Sequence, residues 1–76
     1  EKREMKLRQM VITGKSPFVG KTLGESGIRD KYNCMVVGLE EGEETLSQIE
    51  PGYRFGKGDI IWVVGEEISL NELTEA

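Results

Sequence analysis

Two Gly-Lys-hydroxyl triplets lie close together early in the chain, Gly14-Lys15-Ser16 and Gly20-Lys21-Thr22. Glycines with a lysine and a hydroxyl are the parts of a phosphate-binding loop, in which backbone N–H groups wrap a phosphate and the lysine reaches it. That loop needs Gly, four residues, then Gly-Lys-Ser/Thr. Here five residues, Lys15 to Val19, separate Gly14 from Gly20, and Pro17 removes one N–H that a cradle would use. The register misses by one, so the stretch needs another explanation.

Other catalytic chemistry fares no better. Acid–base work needs groups of tuned pKa held in a cleft, and the chain has no histidine. Its carboxylates fall mostly in turns and at helix starts. Glu25 and Glu72 have the spacing of capping residues, and Asp59 beside Gly58 reads as a turn residue before a strand. Ser16, Thr22 and Ser69 have no evident base to activate them. Cys34 is the sole cysteine; it sits in an apolar run, reads as a small core residue, and has no Cys or His partner at metal-ligand spacing. The residues therefore point away from an enzyme, indicate no metal and assign no cofactor.

The elements that position these residues follow from periodicity. Met5 to Thr13 reads as a strand whose apolar phase slips between Leu7 and Met10, implying a bulge or two partly buried faces. Gly14 to Lys21 is a loop. Thr22 and Glu25 have capping-box spacing and open a helix, on which Ile28 and Tyr32 share an apolar face. Gly24 and Gly27 weaken that helix, and Asn33 falls where a left-handed residue ends one. Cys34 to Leu39 is a buried strand, Glu40 to Glu44 an acidic turn, and Thr45 to Ile49 a weaker strand. Turns at Pro51-Gly52 and Gly56–Asp59 precede the strongest strand, Ile60 to Val64, closed by Gly65. Ser69 as cap, Glu72 at the third helical position and Ile68 stapled onto Leu73 predict a final helix. The order is strand, helix, three strands, helix. It predicts an α+β fold with a small four-stranded antiparallel or mixed sheet and both helices on one face.

The 76 residues make one domain with a net charge of −4. A domain this small buries only about 60–65% of its unfolded surface and has no disulfide to staple it, so a homodimer is expected. Residues 1–33 hold eight Lys/Arg against four acids, whereas residues 34–76 hold two against ten. If either half faces an anion it is the first, the alternative reading being a solvated mixed surface, and nucleic acid is not an expected partner. No run approaches a membrane span and no secretory signal is present. The charged opening reads as a lead-in, residues 1–6, from an upstream domain.

At this point "SPFVGKTLGESGIRDKYNCMVVGLEEG" followed by "PGYRFGKGDIIWVVGE" resembles the RCK C-terminal domain, also called the TrkA-C domain. Five parts match in order: Ser16-Pro17, Gly20-Lys21-Thr22-Leu23, Ile28-Arg29 before Tyr32, Val36-Val37-Gly38, and Gly58-Asp59-Ile60-Ile61 leading to Val63-Val64-Gly65. The resemblance covers about residues 7–73 and assigns 7–76 to the domain. It implies that the Gly-Lys-Thr loop is structural, with Phe18, Val19 and Leu23 packed under it.

The resemblance also implies a function. Such domains dimerise, in some members bind a small cytoplasmic effector, and regulate an attached or associated membrane cation transporter. The parent expected here is a cation:proton antiporter ahead of a Trk-type potassium uptake system, placing the domain on the cytoplasmic side of the inner membrane within a larger transport protein. In members that bind cyclic di-AMP, the ligand lies across the dimer near the helix-to-second-strand junction. Arg29 then contacts an anionic effector, with Asn33, Cys34 and Met35 as the adjoining floor. Met35 stands where those members have an asparagine, and Asn33 where they have a glycine. The rival expectations are a structural dimerisation module without ligand and a small nucleotide-binding enzyme.

Overall fold

The computed structural model describes residues 3–76, so Glu1 and Lys2 of the expected lead-in lie outside the described residues. The elements run β1 (Lys6–Val11), α1 (Leu23–Ser26), β2 (Met35–Glu41), β3 (Glu44–Leu46), β4 (Ile60–Gly65) and α2 (Glu67–Thr74). The strands form one sheet in the order β1-β4-β2-β3, antiparallel at every pairing. The α+β class and element order are those expected.

The β1–β4 pairing is unbroken from Lys6 opposite Gly65 to Val11 opposite Ile60. The slip of apolar phase in β1 is therefore not a bulge. It reflects a strand with apolar residues on both faces. The bulge lies in β2, where the register shifts between Val36 and Gly38.

Paired residues of an antiparallel sheet share a face. Met10, Ile61, Leu39, Val36 and Val63 thus face one way, towards the helices. There Ile61, Val63 and Leu39 are fully buried against Leu70 and Leu73 of α2 and against Ile12, Phe18, Ile28 and Phe55 from the loops. Burying a side chain of this size stabilises by about 1.5–3 kcal/mol. Leu7, Gln9, Val11, Ile60, Trp62, Val64, Met35, Gly38 and Glu40 face the other way, where no helix lies among the described residues.

The β2–β3 hairpin closes on Glu41 opposite Glu44, leaving a two-residue tip, Gly42-Glu43. Such tips need positive φ, which Gly42 adopts at 61°. β3 ends at Leu46, short of the expected Ile49, which turns back to pack on the core.

Asp59 is more than a turn residue. It is buried, and its carboxylate accepts the Tyr53 hydroxyl and the Gly56 N–H, while its backbone carbonyl accepts the Ile12 N–H at 2.7 Å. The side chain thus fixes the 53–59 segment, and the backbone of the same residue holds the end of β1 ahead of β4.

α2 departs from its expected start. The helix begins at Glu67 with Glu66 as cap residue and no side-chain cap bond; Ser69 lies buried within the first turn and Ile68 is exposed, so neither the cap nor the staple forms. Long-range partners set the start instead. Glu67 accepts from Lys6 at 2.9 Å and Asn71 from Arg8 at 2.9 Å, holding the helix over β1 with Leu70 and Leu73 inward. Glu67 also suits the positive end of the helix dipole.

Candidate functional site

From Ser16 to Thr22, the backbone donors of the loop that opened the chemical question are already spent within the fold. Ser16 N–H donates to Thr13 O, Phe18 N–H to Ser16 Oγ, and Gly20 N–H to Phe55 O at 2.8 Å. Lys21 N–H donates to Phe18 O, and Thr22 N–H to Glu25 Oε1. Phe55 N–H returns a bond to Lys21 O at 3.0 Å, and Thr22 bridges Arg54 in an antiparallel pairing. The loop is a strap laid against residues 53–55. Phe18 is buried beneath it and Leu23 half-buried; Val19, expected to pack there too, is exposed because the strap turns it away from the core.

The strap leads into α1, whose capping box forms as expected. Thr22 Oγ1 accepts the Glu25 N–H and the Glu25 carboxylate accepts the Thr22 N–H. Glu25 also pairs with Arg54 at 3.1 Å, and Arg54 donates to Gly20 O as well. The bond from the Thr22 backbone, and then the Arg54 charge, hold the Glu25 carboxyl below its ordinary range.

α1 is shorter than the sequence implies. It stops at Ser26 because Gly27 takes the left-handed conformation (φ 75°) as its C-cap. Residues 28–32 continue as turns, with Ile28 buried and Tyr32 edge-on to Phe18 at 5.9 Å. Asn33 has φ 59°, the left-handed position expected of it, and sends the chain into β2.

β2 begins at Met35, one residue later than expected, leaving Cys34 at the junction. Cys34 is buried, and a Cβ on Gly65 would come within 3.0 Å of its Sγ. The missing side chain at Gly65 therefore makes room for the thiol. Burial pushes the Cys34 thiol up, away from the thiolate that a nucleophile needs.

Between α1, this junction and the 49–51 loop lies a cavity of about 460 Å³. Thr22, Leu23 and Gly24 form one wall, Cys34, Met35 and Val36 another, and Ile49 and Pro51 a third, with Arg29 and Asp30 at the turn between. Of the four residues singled out from the sequence, Arg29, Cys34 and Met35 line this space. Asn33 does not; its side chain is exposed and its N–H is spent on Arg29 O at 3.1 Å. Arg29 is exposed, and no ion pair to it occurs among the described residues; Glu25, its nearest acid on the helix, is taken by Arg54. Sequence reasoning missed Leu23, Val36, Ile49 and Pro51 as lining residues. Pro51 carried a turn signal, and nothing in the sequence showed that this turn folds back over α1.

The arrangement can hold a molecule with a flat apolar body and an anionic group. The walls are mostly apolar, and Arg29 offers a planar pair of donors suited to phosphate or carboxylate. Among the described residues, no cluster of His, Cys, Asp or Glu could hold a metal ion.

A family model described as the TrkA-C domain matches residues 7–76. Potassium channel protein 1 of Methanocaldococcus jannaschii is 29% identical over 70 residues, covering 92% of this chain and 21% of that protein. An uncharacterised transporter of Synechocystis sp. is 31% identical over 70 residues, covering 92% of this chain and 11% of that protein. The chain thus spans about a fifth and a tenth of the lengths of these relatives. Among solved structures, the RCK C domain of the potassium transport protein KtrA in complex with cyclic diadenosine monophosphate superposes with a TM-score of 0.85. It is 22% identical, with 95% of this chain and 82% of that one covered. The RCK_C domain dimer of S. agalactiae BusR, also with c-di-AMP, has a TM-score of 0.81 at 20% identity, with 91% of each chain covered.

Proposed function

Because the chain belongs to the TrkA-C domain family, we propose that it is the regulatory, non-catalytic part of a potassium or other cation transport protein, acting as a homodimer that binds a small anionic effector. The observation that carries the effector is the apolar cavity with Arg29 unpaired at its edge. The parent that fits best is a cation:proton antiporter or a Trk-type potassium uptake system, with this domain on the cytoplasmic side of the inner membrane. Among the described residues no helix is long and apolar enough to cross a membrane, so in this reading the transport path belongs to other parts of the parent. The net charge of −4 supports a reading without a nucleic-acid partner.

The cavity walls come from three separate segments of chain. An effector that touches all three favours the arrangement in which the 49–51 loop sits closest to α1. Only such a difference in affinity between two arrangements can pass a signal to an attached protein.

Calorimetry and thermal shift with cyclic di-AMP, other cyclic dinucleotides and mononucleotides test the reading. A ligand at 100 times its dissociation constant adds about 2.7 kcal/mol to stability. Arg29→Ala is expected to weaken that ligand about tenfold or more by removing charge-assisted bonds, while changing stability by under about 1 kcal/mol. Affinity untouched by Arg29→Ala moves the site elsewhere. No binding across the series leaves a structural dimerisation module.

A further inference from the structure

The turn that brings Pro51 to the cavity has few ties of its own. Tyr53 N–H donates to Glu50 O at 3.0 Å and closes it around Pro51-Gly52. Residues 47–52 make no other hydrogen bond among the described residues, and of them only Ile49 packs on the core. Tyr53 is where the turn is fastened. Its ring lies edge-on to the buried Phe55 at 6.1 Å, and its hydroxyl donates to the carboxylate of buried Asp59. The next two residues fasten the opposite wall. Arg54 donates to Gly20 O at 2.9 Å and to Glu25 Oε1 at 3.1 Å, and Phe55 N–H donates to Lys21 O at 3.0 Å. Residues 53–55 therefore tie both sides of the cavity to one anchor, the 49–51 wall through Tyr53 and the 22–24 wall through Arg54 and Phe55.

We propose that Tyr53 is a positioning residue for the effector site: its hydroxyl bond to Asp59 sets how far Ile49 and Pro51 stand from α1. This rests on the effector reading above and says what holds the site in its binding arrangement. Tyr53 does not line the cavity, so it acts through the turn. A phenylalanine there keeps the contact with Phe55 but has no donor, and the Asp59 carboxylate keeps only the Gly56 N–H, at 2.8 Å. The freed turn is placed by Ile49 alone, and arrangements with the 49–51 wall swung away from α1 become populated. An effector that needs both walls then binds only the molecules still in place, and its apparent affinity falls by that fraction. The loss falls on association, because fewer molecules are competent at the moment of encounter. Removing a direct contact such as Arg29 falls on dissociation instead.

Wild type and Tyr53→Phe are compared by amide hydrogen exchange and by stopped-flow binding of cyclic di-AMP and the other nucleotides of the series above. Without a probe, the variant's residue-53 amide is expected to gain about tenfold more in exchange rate than the amides of β4, the central strand that opens only with the whole fold. With a probe, Tyr53→Phe is expected to lower the association rate about tenfold and to leave dissociation unchanged, whereas Arg29→Ala speeds dissociation. Equal gains at residue 53 and in β4, or an unchanged association rate, overturn this role and leave the effector reading standing. Wild type that binds none of the probes overturns both. A further arm needs no variant, so a Tyr53→Phe chain that fails to fold does not remove the test. A probe at 100 times its dissociation constant slows every opening that abolishes binding by about 100-fold. The wild-type Tyr53 amide is expected to slow by the same factor as those of β4, and a Tyr53 amide that does not slow overturns the assignment.

Discussion

One strand, β4, meets two environments. Ile61 and Val63 are fully buried under α2 and the loop residues packed beside it; Ile60, Trp62 and Val64, their immediate neighbours, are only half-buried. The residue types are alike on both sides. What differs is the cover: two helical segments and a strap on one face, and on the other nothing from this chain among the described residues. A strand that is apolar on both faces therefore tells how many faces must be covered, and not what covers them.

Substitutions that separate the faces test this contrast. Leu70→Ala removes the cover from Ile61 and Val63 and is expected to cost about 3–5 kcal/mol, enough to unfold much of a domain this small. Urea denaturation checks it. The counterpart on the open face, Val11→Ala, should cost the monomer under about 0.5 kcal/mol. Similar losses from the two would erase the distinction.

Asp59→Ala probes whether the covered face depends on its polar organiser. Loss of the carboxylate leaves the Gly56 N–H and the Tyr53 hydroxyl unpaired, with an expected cost of about 2–3 kcal/mol. Asp59→Asn, which retains an acceptor, should recover part of it in the same denaturation experiment. A loss below about 0.5 kcal/mol would show that the turn holds itself.

The cap on α1 is a smaller matter. Thr22→Ala should cost about 1 kcal/mol, and Thr22→Ser should restore most of it. Because α1 forms a cavity wall, ligand titration of Thr22→Ala also measures how far the site depends on the covered side.

The smallest effect is one of pH. Burial first, and then the bond to Asp59 and its charge, push the Tyr53 phenol above its ordinary 10.0. A raised folded-state pKa means the contribution is fully present below about pH 10 and is lost as pH rises through the folded value. Stability is therefore expected to fall as pH rises above about 10, and Tyr53→Phe should flatten that fall. The Cys34 thiol, raised from 9.0 by burial, adds a loss of the same sign, so the flattening should be partial. A fall unchanged in Tyr53→Phe assigns it to other groups.

The legible parts of the fold were those written in local chemistry. The Thr22–Glu25 box, the left-handed Asn33, the Ile60–Val64 run and the tip around Gly42 each follow from residues within a few positions of one another. The failures needed partners far along the chain. The start of α2 is set by Lys6 and Arg8, more than sixty residues away, so Ser69 and Glu72 formed a false cap. Glu25 lies four residues before Arg29, yet it pairs with Arg54, which comes from the other side. At the candidate site, Arg29, Cys34 and Met35 lie close in sequence and were found together. Ile49 and Pro51 arrive only when the chain folds back after β3, which no spacing rule encodes.

α1 is four residues long, far below the length at which a helix persists unaided. Its persistence is borrowed from the strap, from Arg54 and from the turn at Gly27. The amides of residues 20–27 and of Phe55 should therefore exchange with solvent hydrogen as one unit, opening together at a free energy below that of global unfolding. An effector wedged against this wall would slow that exchange across the whole unit, including at amides it does not touch.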